Sequence, residues 1–244
     1  MIIYACDSTA GTASVALCDD EKLLAEFTLN GGNTHTETLL PMTETMFATL
    51  KMSIDDVDLF ACSVGPGSFT GVRIGVSTVK GLAFGKGKPC AAVSTLEALA
   101  MNPKKELIEA TDSIICPCMD ARRGQLYNAL FDYEGGILKR LTYDRTVSAS
   151  ALKEELINSG RTVYFCGDGA HIMEKQFSEG FAKNLMIPTD EKSRYQSAFS
   201  VASAARLAAL KGETVTEAEL RPVYLRLPQA ERERLERLSL QASK

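Results

Sequence analysis

The sequence predicts an α/β protein built from two subdomains, and three observations carry that prediction. Residues 2–7, 13–18 and 22–29 read as strands joined by a turn containing Gly11 and by the acidic turn "DDEK", as in a β-meander. "VDLFACSV", residues 57–64, is a continuous apolar run of the kind that forms a strand buried on both faces, and helical periodicity follows it. At "NPKKE", residues 102–106, the composition shifts as in a linker, and a second alternation of strands and helices begins. With 244 residues and 45% hydrophobic content, the chain can bury one large core or two modest ones, which excludes a disordered protein.

Within the first unit, "NGGNTHTETLLP" breaks the strand pattern and opens a helix over residues 38–50, with Pro41 placed in its first turn. Leu39, Met42, Met46 and Leu50 form its stripe, and Leu40 and Phe47 widen the apolar arc to about 160°, against the ~100° a surface helix needs. The wide arc predicts a second cover besides the helix's own sheet. A further helix spans about 70–85 with Val72, Val76, Val79 and Ala83 as its core stripe. Beside that stripe run Gly71, Gly75, Thr78 and Leu82. A glycine inside a helix costs ~1 kcal/mol, so two of them one turn apart predict close approach of another helix. "KPCAAVSTLEALA" reads as a strand, a Ser94 cap and a helix.

The second unit shows strands near 113–118, 125–133 and 136–143, a helix at 149–158, a strand at 162–167 and a helix from 170. The divisions expected are 1–101, completed by an alanine-rich helix at 198–212; a smaller α/β unit at 102–197; and a tail at 221–244, extended and then forming a short charged helix.

Lys and Arg number 27 against 31 Asp and Glu, a net charge of −4 that suits no direct grip on a nucleic-acid backbone. The amino terminus lacks a basic region before its short apolar stretch, and no apolar run reaches the ~20 residues of a membrane span, so a cytoplasmic protein is expected. Seven cysteines sit mostly in strand-like runs and read as reduced core residues. "CPC" at 116–118 has no second Cys/His pair at zinc spacing, and His35 and His171 are the only histidines, so no metal is assigned.

"GPGSFTG" at 65–71 has no lysine for a P-loop, a Thr70 where a dinucleotide fingerprint needs its third glycine, and Ser68 out of place for a nucleophile elbow. "HTETL" supplies one histidine where a zincin helix needs two. No catalytic residue is assigned. "DSTAGTASVAL" at 7–17 leaves two readings open. In one, Asp7, Ser8, Thr9, Gly11 and Thr12 form a phosphate-binding hairpin. In the other they form a tight turn whose amides Asp7 satisfies.

That hairpin resembles the first phosphate hairpin of the actin, sugar-kinase and Hsp70 superfamily, and the resemblance implies an aspartate that helps place Mg²⁺ through water. Taken with "HTETLLP", "SVGPGSFTGVRIGVSTVKGLAFG", "MDARRGQLYNALFD" and "PVYLR", it makes the chain resemble, from residue 2 to about 226, the bacterial TsaB (YeaZ) family. The resemblance implies an actin/Hsp70-like (ribonuclease H-like) fold with a reduced second subdomain. It also implies a non-catalytic role beside the catalytic subunit TsaD, which transfers threonylcarbamoyl to N6 of adenosine 37 in tRNAs reading codons that start with A.

Members of that family dimerise with TsaD, join the ATPase TsaE, form homodimers when alone, and meet tRNA only through the complex. TsaD holds its metal through paired histidines, where this chain offers His35 alone. Cofactor binding is expected to be absent or limited to weak, vestigial ATP or ADP binding. The family's dimer helices carry the interface role onto Leu39, Leu40, Thr43, Phe47, Gly71, Val72, Gly75 and Thr78, some of which must face the chain's own sheet.

"FCGDGA" at 165–170 stands where a complete superfamily member has its second phosphate loop; Asp168 and Gly169 either touch a nucleotide there or turn a strand into a helix. Arg122 and Arg123 are candidates to receive a partner carboxylate or a tRNA phosphate, or are solvated turn residues. The rival reading is a free-standing phosphotransferase or nucleotide-gated chaperone. Proteolysis, suggested by the older glycoprotease label of relatives, ranks last.

Overall fold

The structure, a computed structural model, describes residues 1–31, 34–177, 184–188 and 190–226. β1 (Ile2–Asp7), β2 (Ala13–Asp19) and β3 (Lys22–Leu29) form an antiparallel meander. After α1 (His35–Leu50) the chain adds β4 (Leu59–Gly65), α2 (Phe69–Ala83), β5 (Cys90–Ser94) and α3 (Thr95–Ala100), giving a sheet of order β3-β2-β1-β4-β5 in which β4 and β5 run parallel to β1.

The second unit comprises α4 (Lys105–Ala110), β6 (Ser113–Asp120), β7 (Gln125–Asn128), β8 (Phe131–Glu134), β9 (Ile137–Arg140), β10 (Arg145–Ser148), α5 (Ala149–Ser159), β11 (Thr162–Cys166), α6 (Ala170–Glu174), β12 (Leu185–Met186) and α7 (Glu191–Arg194). Its sheet has the order β10-β7-β6-β11-β12, with β8 and β9 branching from β6. α8 (Ala198–Leu210) then returns to the first sheet.

Alternation along the strands sorts the first core into two layers, because successive side chains point to opposite faces. Tyr4, Cys6, Val15, Leu17, Phe60 and Cys62 pack under α1 and α2, while Ile3, Ala5, Ala16, Leu59 and Ala61 face α3 and α8. Small residues on both sides of that second layer let α8 lie close to the sheet. Glu26 pins its start: Oε1 accepts from Ser197 Oγ at 2.6 Å and from the Phe199 amide at 3.1 Å.

Several expected boundaries move, each for a local reason. α1 begins at His35, so Pro41 lies in its second turn rather than its first. The run expected as one strand over 125–133 is two, β7 and β8. Pro117, in mid β6, has no N–H for a ladder. There Asn128 Nδ2 donates to the carbonyl oxygens of Pro117 and Ala129, each at 3.0 Å. β6 accordingly passes from β8 at Ile115 to β7 at Cys118–Asp120. The linker expected at 102–106 runs into α4, and the strand expected to reach residue 143 stops at Arg140, with β10 following. The charged helix expected in the tail lies beyond Arg226, outside the described residues.

All seven cysteines are buried and unpaired, and burial pushes the Cys18 thiol up to about 12. Among the described residues no helix is long and apolar enough to cross a membrane, and no three His, Cys, Asp or Glu side chains gather as metal ligands do.

Candidate functional site

The "GPGSFTGVRIG" segment follows directly from the end of β4. Gly65 turns the chain at a φ of 122°, a region open to glycine alone. Ser68 then caps α2, its Oγ accepting from the Gly71 amide at 3.2 Å. The next three glycines abut the β1–β2 turn. A Cβ on Gly67 would stand 2.5 Å from the Thr9 carbonyl oxygen, one on Gly71 1.9 Å from that of Ser8, and one on Gly75 2.8 Å from Ser8 Oγ. The Ser68 amide donates to Thr9 O at 2.7 Å, and Ser8 Oγ donates to Gly71 O at 2.8 Å. The close approach that the glycine strip predicts is therefore made by the chain's own hairpin, where a second helix was expected.

Burial dominates the chemistry of that hairpin. Asp7 is only 1% exposed; its Oδ1 accepts from the amide and Oγ1 of Thr9, both at 2.8 Å. Its Oδ2 has no hydrogen-bond partner, and neither has the neighbouring Ser63 Oγ. Burial raises the Asp7 pKa above the ordinary aspartate range, while the Ser63 hydroxyl, beside the carboxyl but outside hydrogen-bond geometry, and the Thr9 donors pull it back in part. His35 Nε2 bonds the Ala10 carbonyl at 2.7 Å, which gives His35 a place in the hairpin's support. Ser8, Thr9 and Thr12 are buried, and Gly11 is exposed at the tip.

A second hairpin, between β6 and β7, faces the first. Arg122, Arg123 and Gly124 have φ values of 67°, 57° and 70°. For the two arginines this left-handed conformation costs roughly 1 kcal/mol each. Asp120 holds the turn, its Oδ1 accepting from the Arg122 amide at 2.7 Å and its Oδ2 pairing with Arg122 Nη1 at 3.2 Å. Asp168 Oδ1 in turn accepts from the Asp120 amide at 3.2 Å, and burial raises its pKa. Asp168 thus braces the second hairpin and does not cap α6. Gly167 and Gly169 let "FCGDGA" cross over β6, since a Cβ on either would meet Cys118 backbone at 3.0 Å or less.

Thr9–Gly11, Gly67–Phe69, Met119–Arg122 and the segment Val223–Arg226 enclose a cleft of about 460 Å³ between the subdomains. It has the size of a small-molecule site, and on its hairpin side the Thr9 amide is already taken by Asp7 Oδ1, as in a tight turn. Asp120 and Asp168 on the far wall are carboxylates, which oppose a phosphate.

The residues carried over as interface candidates divide sharply. Thr43 Oγ1 bonds Tyr4 Oη and the Leu39 carbonyl, each at 2.8 Å, and Phe47 stacks on Tyr4 with ring centroids 6.1 Å apart. Leu39, Thr43, Phe47, Gly71, Val72 and Gly75 are buried within the chain. Leu40, 45% exposed, and Thr78, half-buried, reach the surface. They line a groove of about 360 Å³ between α1 and α2, together with Thr36, Phe69, Arg73 and Ile74.

Two α/β units, each presenting a hairpin across a shared cleft, define the actin/Hsp70-like class of fold. YeaZ of Pseudomonas aeruginosa has this fold: it superposes with a TM-score of 0.71 at 24% identity, over 92% of this chain and 99% of its own. The family model described as TsaD, tRNA N6-adenosine threonylcarbamoyltransferase, matches residues 22–234. The tRNA threonylcarbamoyladenosine biosynthesis protein TsaB of Bacillus subtilis is 32% identical over 189 residues, 78% of this chain and 80% of its own. TsaB of Haemophilus influenzae is 30% identical over 79% of this chain and 80% of its own, and TsaB of Escherichia coli is 37% identical over 56% and 58%. The chain belongs to the TsaB (YeaZ) family, within the broader group that the TsaD model describes.

Proposed function

We propose that this chain is a non-catalytic, cytoplasmic subunit in the biosynthesis of threonylcarbamoyladenosine in tRNA, docking through the α1–α2 groove onto a TsaD-type catalytic partner. The observation that carries this reading is the groove itself. The inward faces of both helices are spent on the chain's own sheet and hairpin, so Leu40, Ile74 and Thr78 form the seam left for another protein. A second copy of the chain uses the same seam when the partner is absent, TsaE joins the assembled pair, and tRNA is held by the partner. The net charge of −4 agrees with that division of labour.

The test is the threonylcarbamoyladenosine content of bulk tRNA in cells depleted of the protein and rescued with wild type or Leu40→Asp. Restoration by wild type alone, with the variant stably expressed, supports the reading. An unchanged nucleoside level on full depletion overturns it.

The unpaired Asp7 Oδ2, an acceptor suited to the divalent cation that accompanies a nucleotide, supports one subsidiary reading, weak binding of ATP or ADP with magnesium at Asp7, Ser8, Thr9, Gly11 and Thr12. Equilibrium dialysis with ATP tests it: binding lost in Asp7→Ala supports the site, and no binding at millimolar nucleotide removes it, together with the phosphotransferase alternative.

A further inference from the structure

The last described residues make contacts with both subdomains within four positions. Leu220 is buried in the first core, and Lys80 Nζ donates to the carbonyls of Ala218 and Leu220 at 3.1 and 3.2 Å, so the base of the segment is anchored on α2. Beyond it the Val223 amide donates to Val64 O at 2.7 Å, at the end of β4. The Val223 carbonyl occupies the space that a Cβ on Gly65 would need, 2.3 Å away. Tyr224 stacks on Phe69 with centroids 4.7 Å apart, and the Arg73 guanidinium lies 4.6 Å from the same Phe69 ring. Arg226 Nη1 then reaches the second subdomain, donating to the carbonyl oxygens of Ala121 and Arg122 in the β6–β7 turn.

We infer that residues 223–226 are a releasable clasp, which holds the two subdomains together across the cleft and forms one of its walls. Three features support release as well as closure. The bridging contacts are one backbone bond, one ring stack and one guanidinium clamp, with Val223 49% and Tyr224 41% exposed, the pattern of a segment that opens locally. Of the two carbonyls that Arg226 clamps, one belongs to Arg122 in the left-handed turn that Asp120 also holds, so the clasp ends on a strained hairpin. Phe69 lines both the cleft and the α1–α2 groove, so the ring on which the clasp rests is shared with the surface proposed for docking. The clasp follows from the chain's own contacts and stands whether or not the groove binds a partner.

Hydrogen exchange of the full chain, read by mass spectrometry, tests it. In wild type the Val223 amide is expected to exchange faster than the amides of β1 and β4, through a local opening. Combining Tyr224→Ala with Arg226→Ala should raise exchange at Val223 and over residues 119–124 by about tenfold, the equivalent of one lost stack and its neighbour, with β1 and β4 unchanged. Tyr224→Phe, which keeps the ring, should exchange as wild type. Exchange over 119–124 that does not respond to the double variant overturns the clasp. So does a parallel rise in β1 and β4, which would mark the segment as an ordinary part of the core.

Discussion

The carbonyl oxygen of Ser8 stands 1.9 Å from the position a Cβ would take on Gly71, so helix α2 and the β1–β2 turn meet backbone to backbone. Neither backbone can yield without breaking the hydrogen bonds that join them, from Ser68 N to Thr9 O and from Ser8 Oγ to Gly71 O. Gly71→Ala is therefore expected to cost about 3 kcal/mol or more in urea unfolding, the upper range for overpacking. Gly75 differs, because its obstacle is a hydroxyl, Ser8 Oγ at 2.8 Å. Gly75→Ala should cost about 1 kcal/mol alone, yet be neutral or stabilising on a Ser8→Ala background, where helix propensity returns ~1 kcal/mol. Additive effects in that double-mutant cycle would contradict the contact.

The two faces of α1 should separate stability from docking. Phe47→Ala removes a ring stacked on Tyr4 in the core and is expected to lose about 3–5 kcal/mol. Leu40→Asp changes an exposed position and should stay within about 0.5 kcal/mol of wild type. Thermal melts and sedimentation of each variant with a TsaD-type protein check both halves. A Leu40→Asp variant that sediments with the partner as wild type does would dismiss the groove as the seam.

Much of this architecture is legible in the residues alone. The meander, the apolar β4 and the Ser94 cap are local signals, and each element lies where its pattern puts it. The packing partner of the glycine strip is not legible, because Gly71 and Gly75 state only that something comes close; that it is Ser8 depends on the fold bringing the hairpin to α2. The second hairpin is partly legible. "DSTAG" and "DARRG" both follow a strand and both set glycine four residues after aspartate, a repeat that two arginines at positive φ disguise. The clasp at 223–226 is hidden for a plainer reason: its contacts span more than a hundred residues, and "VYLR" carries no periodicity of its own.

Asn128 replaces a stretch of ladder that Pro117 cannot supply, and it also accepts from Arg145 Nη2 at 3.1 Å. Asn128→Ala leaves the Pro117 and Ala129 carbonyls without this donor in a fully buried place, while the partly exposed Arg145 keeps Glu155. The expected loss is about 2–3 kcal/mol, and Asn128→Asp, which keeps an acceptor for Arg145 but no donor for Pro117, should recover only part of it. Urea midpoints of the three proteins give the ranking.

Asp7 supplies a pH test whose sign can be worked out in advance. Burial raises its pKa in the folded chain, so between the ordinary aspartate range and that raised value the native state holds a proton the unfolded chain has released. The stability linked to this group is fully present below the ordinary range and is lost as pH rises through the folded value. Asp7→Asn keeps an Oδ1 to accept both Thr9 donors and places Nδ2 in the position of the unpaired Oδ2, beside the Ser63 hydroxyl that also lacks a partner. The variant should thus match wild type near pH 3, where both side chains are neutral, and exceed it at neutral pH, with a flatter profile in between. Urea midpoints across that range decide the matter. A variant less stable than wild type at neutral pH would mean that the ionised carboxylate is held by favourable contacts in the folded chain, and would make the cleft beside it the place to look for a bound cation.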